Sequence, residues 1–329
     1  MHQPETDRAW MVTGIGSLPH QERSLGLADS LRWTPGFAFI PQLAQVELFD
    51  SINLQPFPRL PQGIDYRQGL LEGNPETRGA LCELFSERPG LDILPGFKTA
   101  IAAGELGSFS KFQWVGPLTL ATSIRLNGKA ILEDPALFKL LADYLVSQIS
   151  AVARWCRAHE INCLILDEPC LPVVEHLDDH TAARLLGALE QALDAIVSEG
   201  VVGGVHCCAK LDRVRIDWLN LHGACLSLDV SGDAAYLNAV LGSFREFYSS
   251  GRLLLLGCVP TQGAPTKPLS GGLIARQILQ ALGHLGWDKD EAQARVALTP
   301  ACGLAGVSLA EAEAIFRLLH EISFKLAMP

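Results

Sequence analysis

Apolar residues in this chain fall into short runs that alternate with longer stretches at helical spacing. The short runs read as strands at Trp10–Gly14, Phe37–Ile40, Phe112–Val115, Asn162–Leu166, Val201–Cys207, Cys225–Val230, Arg252–Val259 and Ala297–Thr299. Between them, helical patterns are expected over Glu22–Leu31, Glu76–Phe85, Ala136–His159, Thr181–Glu199, Leu237–Tyr248, Gly272–Leu285 and Leu309–Leu326. The stretch from Gln42 to Arg67 has neither pattern and carries Pro56, Pro58 and Pro61, so it is expected to be an irregular loop, lid or docking segment. Strands that are apolar along their whole length are buried on both faces, which implies a parallel sheet covered by helices. About eight strand–helix units in this length predict a single α/β domain over residues 1–329, a (β/α)8 TIM barrel.

The polar residues that interrupt this pattern cluster at the carboxyl ends of the expected strands. Ile15-Gly16-Ser17 and His20 follow the first, Gly116-Pro117 the third, and Asp167-Glu168-Pro169 the fourth. His206 and Cys208 close the fifth, Asp229 the sixth, and Cys302 follows the eighth. A barrel gathers these ends at one mouth, where barrel active sites lie. A histidine, two cysteines and a carboxylate suit a tetrahedral zinc site, so His206, Cys208, Asp229 and Cys302 are the candidate metal ligands. Each has a plain structural alternative: a core histidine, a thiol packed under a loop, or a helix cap for Asp229 beside Ser231. Their convergence from three strand ends favours a site. Cys207 is expected to face the other way, as alternate strand residues do.

Asp167 and Glu168 are adjacent carboxylates, costly to place at a strand end unless they are solvated or bound to a cation. Asp167 is the candidate catalytic and substrate-binding carboxylate, facing an ammonium group, with Glu168 beside it; a helix cap or surface loop is the rival reading. Ile15, Gly16 and Ser17 offer backbone N–H groups next to a helix start, suited to a carboxylate or a phosphate, or form an ordinary turn. His20 is either a substrate contact at the mouth or a helix-start residue.

Composition narrows the partners. The chain has 329 residues, 48% of them hydrophobic, with a net charge of -10 and a pI near 5.4. No Lys/Arg cluster stands out, which argues against nucleic-acid binding. No apolar run is long enough to span a bilayer, and the amino terminus has no export pattern, so a cytoplasmic protein is expected. The nine cysteines are an odd number, which fits reduced thiols better than a disulfide framework. Cys82, Cys156 and Cys163 sit in apolar patterns and are expected to be packing residues.

Taken in order, Ile15-Gly16-Ser17, Val115-Gly116-Pro117-Leu118-Thr119, Ile165-Leu166-Asp167-Glu168-Pro169, His206-x-Cys208, Leu228-Asp229-Val230-Ser231 and Pro300-Ala301-Cys302-Gly303-Leu304 resemble the catalytic barrel of cobalamin-independent methionine synthase. That family lies within the uroporphyrinogen decarboxylase-like barrels. The resemblance implies zinc on His206, Cys208 and Cys302, with Asp229 where the family has a glutamate. It also implies homocysteine, its carboxylate on the Ile15–Ser17 backbone and its amino group on Asp167. Two departures lie on the folate side. The chain matches the catalytic barrel only, about half of the full-length enzyme, and the Gly257–Gln262 loop has no histidine where the family has a proton donor. The resemblance with these losses implies a core-type methyltransferase whose methyl donor is a methylated corrinoid or corrinoid protein. Related barrels that methylate thiols from corrinoids use a similar His-x-Cys…Cys set. The alternatives are a uroporphyrinogen decarboxylase-like enzyme, a corrinoid-dependent methyltransferase for another thiol, or a non-enzymatic zinc- or corrinoid-binding protein. The decarboxylase would need arginines near the first strand end, where only Arg23 and Arg32 lie.

Overall fold

The structure is a computed structural model that describes residues 9–210, 225–243, 252–261 and 269–328. Seven parallel strands form its main sheet: β1 (Met11–Val12), β2 (Lys111–Val115), β3 (Cys163–Asp167), β4 (Val202–Cys207), β5 (Cys225–Asp229), β6 (Leu253–Val259) and β7 (Val296–Pro300). Their order is β1-β7-β6-β5-β4-β3-β2, so strands adjacent in sequence are neighbours around the wall. The expected second strand, Phe37–Ile40, fills the gap between β1 and β2 as two parallel bridges, Ser17 with Gln42 and Phe39 with Lys111, rather than as a ladder. Ile40 N donates to the Lys111 carbonyl (2.8 Å) and Gln42 N to the Gly16 carbonyl (3.1 Å). Pro41 between them has no N–H to give, which interrupts regular pairing. The architecture is a TIM-type α/β barrel.

Outside the wall run α1 (Arg23–Trp33), α2 (Arg78–Ser86), α3 (Lys98–Leu106), α4 (Pro117–Ser123) and α5 (Pro135–Ala158). They are followed by α6 (Asp179–Ser198), α7 (Ala234–Ser243), α8 (Gly271–His284), α9 (Lys289–Arg295) and α10 (Leu309–Ala327). The helix expected over Leu237–Tyr248 corresponds to α7, and its last residues, 244–248, lie outside the described ones, as does Gln262. By length and composition α5 could cross a membrane. Here its apolar stripe (Leu137, Leu141, Leu145, Ile149, Val152) is buried in the core, which accounts for its hydropathy.

The Gln42–Arg67 segment is less irregular than its prolines suggest. It contains a 3-10 turn at Leu48–Asp50 and ends in a strand, Asp65–Arg67, of a small sheet with Leu70–Gly73, Ile124–Leu126 and Lys129–Ala130. Two tight hairpins build that sheet, at Gln68-Gly69 (φ 50° and 84°) and Asn127-Gly128 (φ 52° and 78°). Consecutive positive φ values are what such two-residue turns require, and Asn-Gly is their commonest sequence.

Inside the barrel, character changes along the axis. Cys163, Ile165, Cys225, Leu255 and Ala297 form an apolar plug toward the start of the strands. Gln113, Asp167, His206, Ser227 and Thr299 are also buried, and they make a polar layer toward the strand ends. Gly204 is needed at the plug: a Cβ there would lie 2.6 Å from the Cys225 carbonyl oxygen and 2.7 Å from Ile165 Cδ1. Without a side chain on β4, those of β3 and β5 meet across it.

Candidate metal centre

Strand alternation divides the last residues of β4. His206 turns into the barrel and is 3% exposed, whereas Cys207 packs in the helix-side core. Cys208 then returns to the inner side and meets Cys302, two residues beyond β7. The ligand atoms of His206, Cys208 and Cys302 all lie within 4.8 Å of one another. Ser227 Oγ bonds His206 Nδ1 at 2.9 Å, which leaves Nε2 buried with no partner. A buried ring nitrogen without a partner is uncommon in a folded protein. The two thiols share a proton: the hydrogen bond from Cys208 draws Cys302 down to about 5, and the same bond together with burial pushes Cys208 up. A thiolate, a second thiol and a free imidazole nitrogen form a donor set that fits zinc, and Ser227 holds the ring as outer partners of metal-bound histidines do.

Next to this group Asp167 is 3% exposed at the end of β3. Gln113 Nε2 donates to its Oδ1, and Gln42 Nε2 donates to its Oδ2 at 3.4 Å. Burial raises its pKa to about 6, opposed by the charges of His206 and Lys111. Asp167, His206, Cys208 and Cys302 line one cavity of about 350 Å³, and Ile15 and Ser17 form the wall beside them. That wall is locked to the Cys302 loop. Leu304 N donates to the Ser17 carbonyl (2.9 Å) and Ala305 N to Ser17 Oγ (3.3 Å), and any side chain at Gly303 would collide with Ser17 Oγ. Gly16 packs against Gln42, whose Oε1 would be 2.8 Å from an added Cβ.

Three expected residues have other partners. Asp229 stands outside the group of three: Lys210 Nζ lies 3.0 Å from its Oδ2, and Ser231 N and Oγ donate to its Oδ1 at 2.8 and 2.6 Å. The helix cap weighed for Asp229 is not what it forms: it holds the turn at Ser231, and Asp233 accepts from Tyr236 N at the start of α7. Glu168 points away from the cavity and accepts from Leu118 N (2.9 Å), Thr119 N (2.7 Å) and Thr119 Oγ1 (2.7 Å) at the start of α4. This explains the Gly116-Pro117-Leu118-Thr119 stretch, since a side chain at Gly116 would strike that carboxylate. Burial raises the Glu168 pKa to about 7. His20 bonds Asp29 Oδ2 at 3.0 Å, sits 5.7 Å from the Trp33 ring, and lines a separate cavity beside Leu309. It is 4% exposed, packs on α1 and does not line the cavity of the His-Cys-Cys group.

Several residues at the site were not among the expected ones. Gln113 and Ser227 lie in strand-like runs as isolated polar residues, and Gln42 opens the patternless Gln42–Arg67 stretch. Asp50, from the 3-10 turn, also lines the cavity and is 2% exposed. It accepts from Leu43 N (3.0 Å) and Thr99 Oγ1 (2.7 Å), and burial raises its pKa to about 6. An isolated polar residue in an apolar strand is the signal that would have found Gln113 and Ser227.

Fold and site together define a class: a TIM barrel with a His-Cys-Cys group, able to hold a metal, at the carboxyl ends of its strands. No protein-family model and no curated protein matches the chain. Among solved structures it is similar to a methyltransferase from Methanosarcina mazei, with a TM-score of 0.60 and 15% identity over 97% of this chain and 93% of that one. It is also similar to a putative vitamin-B12 independent methionine synthase from Listeria monocytogenes, with a TM-score of 0.50 and 13% identity over 96% and 98% of the two chains. At these identities the likeness is one of fold, a TIM-type barrel.

Proposed function

We propose that this protein is a zinc-dependent methyltransferase that moves a methyl group onto a thiol, with homocysteine as the acceptor, methionine as the product and a methylated corrinoid as the donor. The observation that carries the reading is the meeting of Cys208, Cys302 and the unpartnered Nε2 of His206 beside a cavity of about 350 Å³. The fold shared with a methyltransferase and a putative methionine synthase supports it.

Zinc held by His206, Cys208 and Cys302 would keep an acceptor thiol deprotonated at neutral pH, where a free thiol of pKa about 8.5 is mostly protonated. The chain's own residues do the rest. Asp167 presents its remaining carboxylate lone pairs to the acceptor's ammonium group. Ile15 and Ser17 form the wall beside it, and the apolar Ile52, Pro169 and Ala305 exclude water from the reacting sulfur. Transfer forms one S–CH₃ bond while the donor's bond to that methyl breaks, the electron pair leaving with the donor. A corrinoid needs no proton as it leaves, which agrees with a Gly257–Thr261 loop that has no histidine.

The described residues that line the cavity include two carboxylates, Asp50 and Asp167, and no arginine. That lining counts against a tetrapyrrole decarboxylase, whose substrate brings several carboxylates of its own. The test is to incubate zinc-loaded protein with homocysteine and either methylcobalamin or methyltetrahydrofolate, and to follow methionine by mass spectrometry. Methionine is expected from methylcobalamin. Failure to methylate homocysteine or any other small thiol from either donor would overturn the proposal.

A further inference from the structure

The barrel interior contains a lysine that the chemistry above does not use. Lys111 opens β2 and is 1% exposed, and burial lowers its pKa to about 8. An ammonium group in such a place must be well hydrogen-bonded. Its Nζ donates to the Ile15 carbonyl at 2.6 Å and to Gln113 Oε1, and it lies 5.8 Å from the centre of the Phe39 ring. Both of those acceptors belong to residues that build the cavity or touch Asp167.

The direction of these bonds is informative. An ammonium group can only donate. Gln113 must therefore turn its carbonyl toward Lys111 and its NH₂ toward Asp167, and it does. With the amide reversed, two acceptors would face each other at Asp167 and two donors at Lys111. Gln42 donates to the other carboxylate oxygen. A fixed donor at the base of the barrel thus orders a chain that ends in a carboxylate held as acceptor, with its unused lone pairs on the cavity side. The same ammonium ties down Ile15 on the cavity wall.

We propose that Lys111 is a positioning residue: acting through Gln113, it holds the Asp167 carboxylate as an acceptor turned to the cavity, and so makes the site select a thiol that carries an ammonium group over the same thiol without one. This rests on the thiol-acceptor reading of the site and adds the origin of its selectivity. Removing the cation frees the Gln113 amide to turn over. Changing Gln113→Glu keeps the contact with Lys111 but removes the donor to Asp167. Two acceptors then face each other, and Asp167 loses the donor that holds it in place for an ammonium group.

The experiment is calorimetric titration of zinc-loaded wild type, Lys111→Met and Gln113→Glu with homocysteine and with mercaptobutanoate, the same thiol without the amino group. Wild type is expected to prefer homocysteine, and each variant to lose about tenfold or more of that preference while keeping its zinc. Gln113→Glu keeps the buried cation paired, so it answers the question even if Lys111→Met does not fold. Equal weakening of both thiols, or an unchanged preference in a folded variant, would show a merely structural role and overturn the proposal. A wild type that binds both thiols equally would remove the ammonium contact itself. A wild type that binds neither would overturn the thiol-acceptor reading beneath it.

Discussion

Two pairs of cysteines meet inside this barrel, and their surroundings are opposite. The lower pair, Cys163 and Cys225, is buried with Ile165, Leu255 and Ala297 where β3 and β5 meet over Gly204. Its hydrogen bond and burial push Cys225 well up, and the nearby cation is Lys111. The upper pair, Cys208 and Cys302, is half-buried on a cavity beside an imidazole nitrogen with no partner. Sulfur count is the same in both. A third ligand and access from the cavity separate a metal centre from a packed core. Thiol pairs acquire their chemistry from their neighbours.

The largest expected effect breaks the comparison outright if it fails. Cys208→Ala and Cys302→Ala should each lose the metal, from about one zinc per chain to almost none. Cys163→Ala and Cys225→Ala should keep the wild-type content, read by elemental analysis of folded protein. Next comes reactivity. In reduced, metal-free protein Cys302 should be alkylated first, at a rate nearly flat from about pH 6 upward because its thiolate forms above about 5. Cys163 and Cys225 should react only on unfolding, as peptide mass spectrometry would show. Ser227→Ala removes the bond that orients His206 and should weaken zinc binding by about 10–100-fold in chelator competition. The smallest effect is on stability: Cys163→Ala should cost about 1–2 kcal/mol in chemical denaturation and leave zinc affinity unchanged.

Much of the frame was legible because the main-sheet strands are apolar runs that end on polar residues. Val201–Cys207 and Asn162–Leu166 are such runs, and their ends supplied His206, Cys208 and Asp167. The periodicity also separated Cys207 from Cys208. What a strand-end position does not reveal is which donors compete for the residue placed there. Asp229 is engaged by Lys210 and Ser231, Glu168 by the backbone of α4, and His20 by Asp29. Those contacts are set by loop paths and helix starts. The meeting of Cys163 and Cys225 is illegible for another reason, since it depends on a glycine in the strand between them. Asn127-Gly128 is different again: that dipeptide is a direct hairpin signal, and it marks the side sheet that the prolines of Gln42–Arg67 obscured.

The central claim is that a substrate thiol joins the His206, Cys208 and Cys302 centre. X-ray absorption at the zinc edge, before and after homocysteine is added to zinc-loaded protein, tests it most directly. Two sulfur neighbours are expected at rest and three with homocysteine. A centre that holds no zinc, or one that keeps two sulfur neighbours under saturating homocysteine, would contradict it.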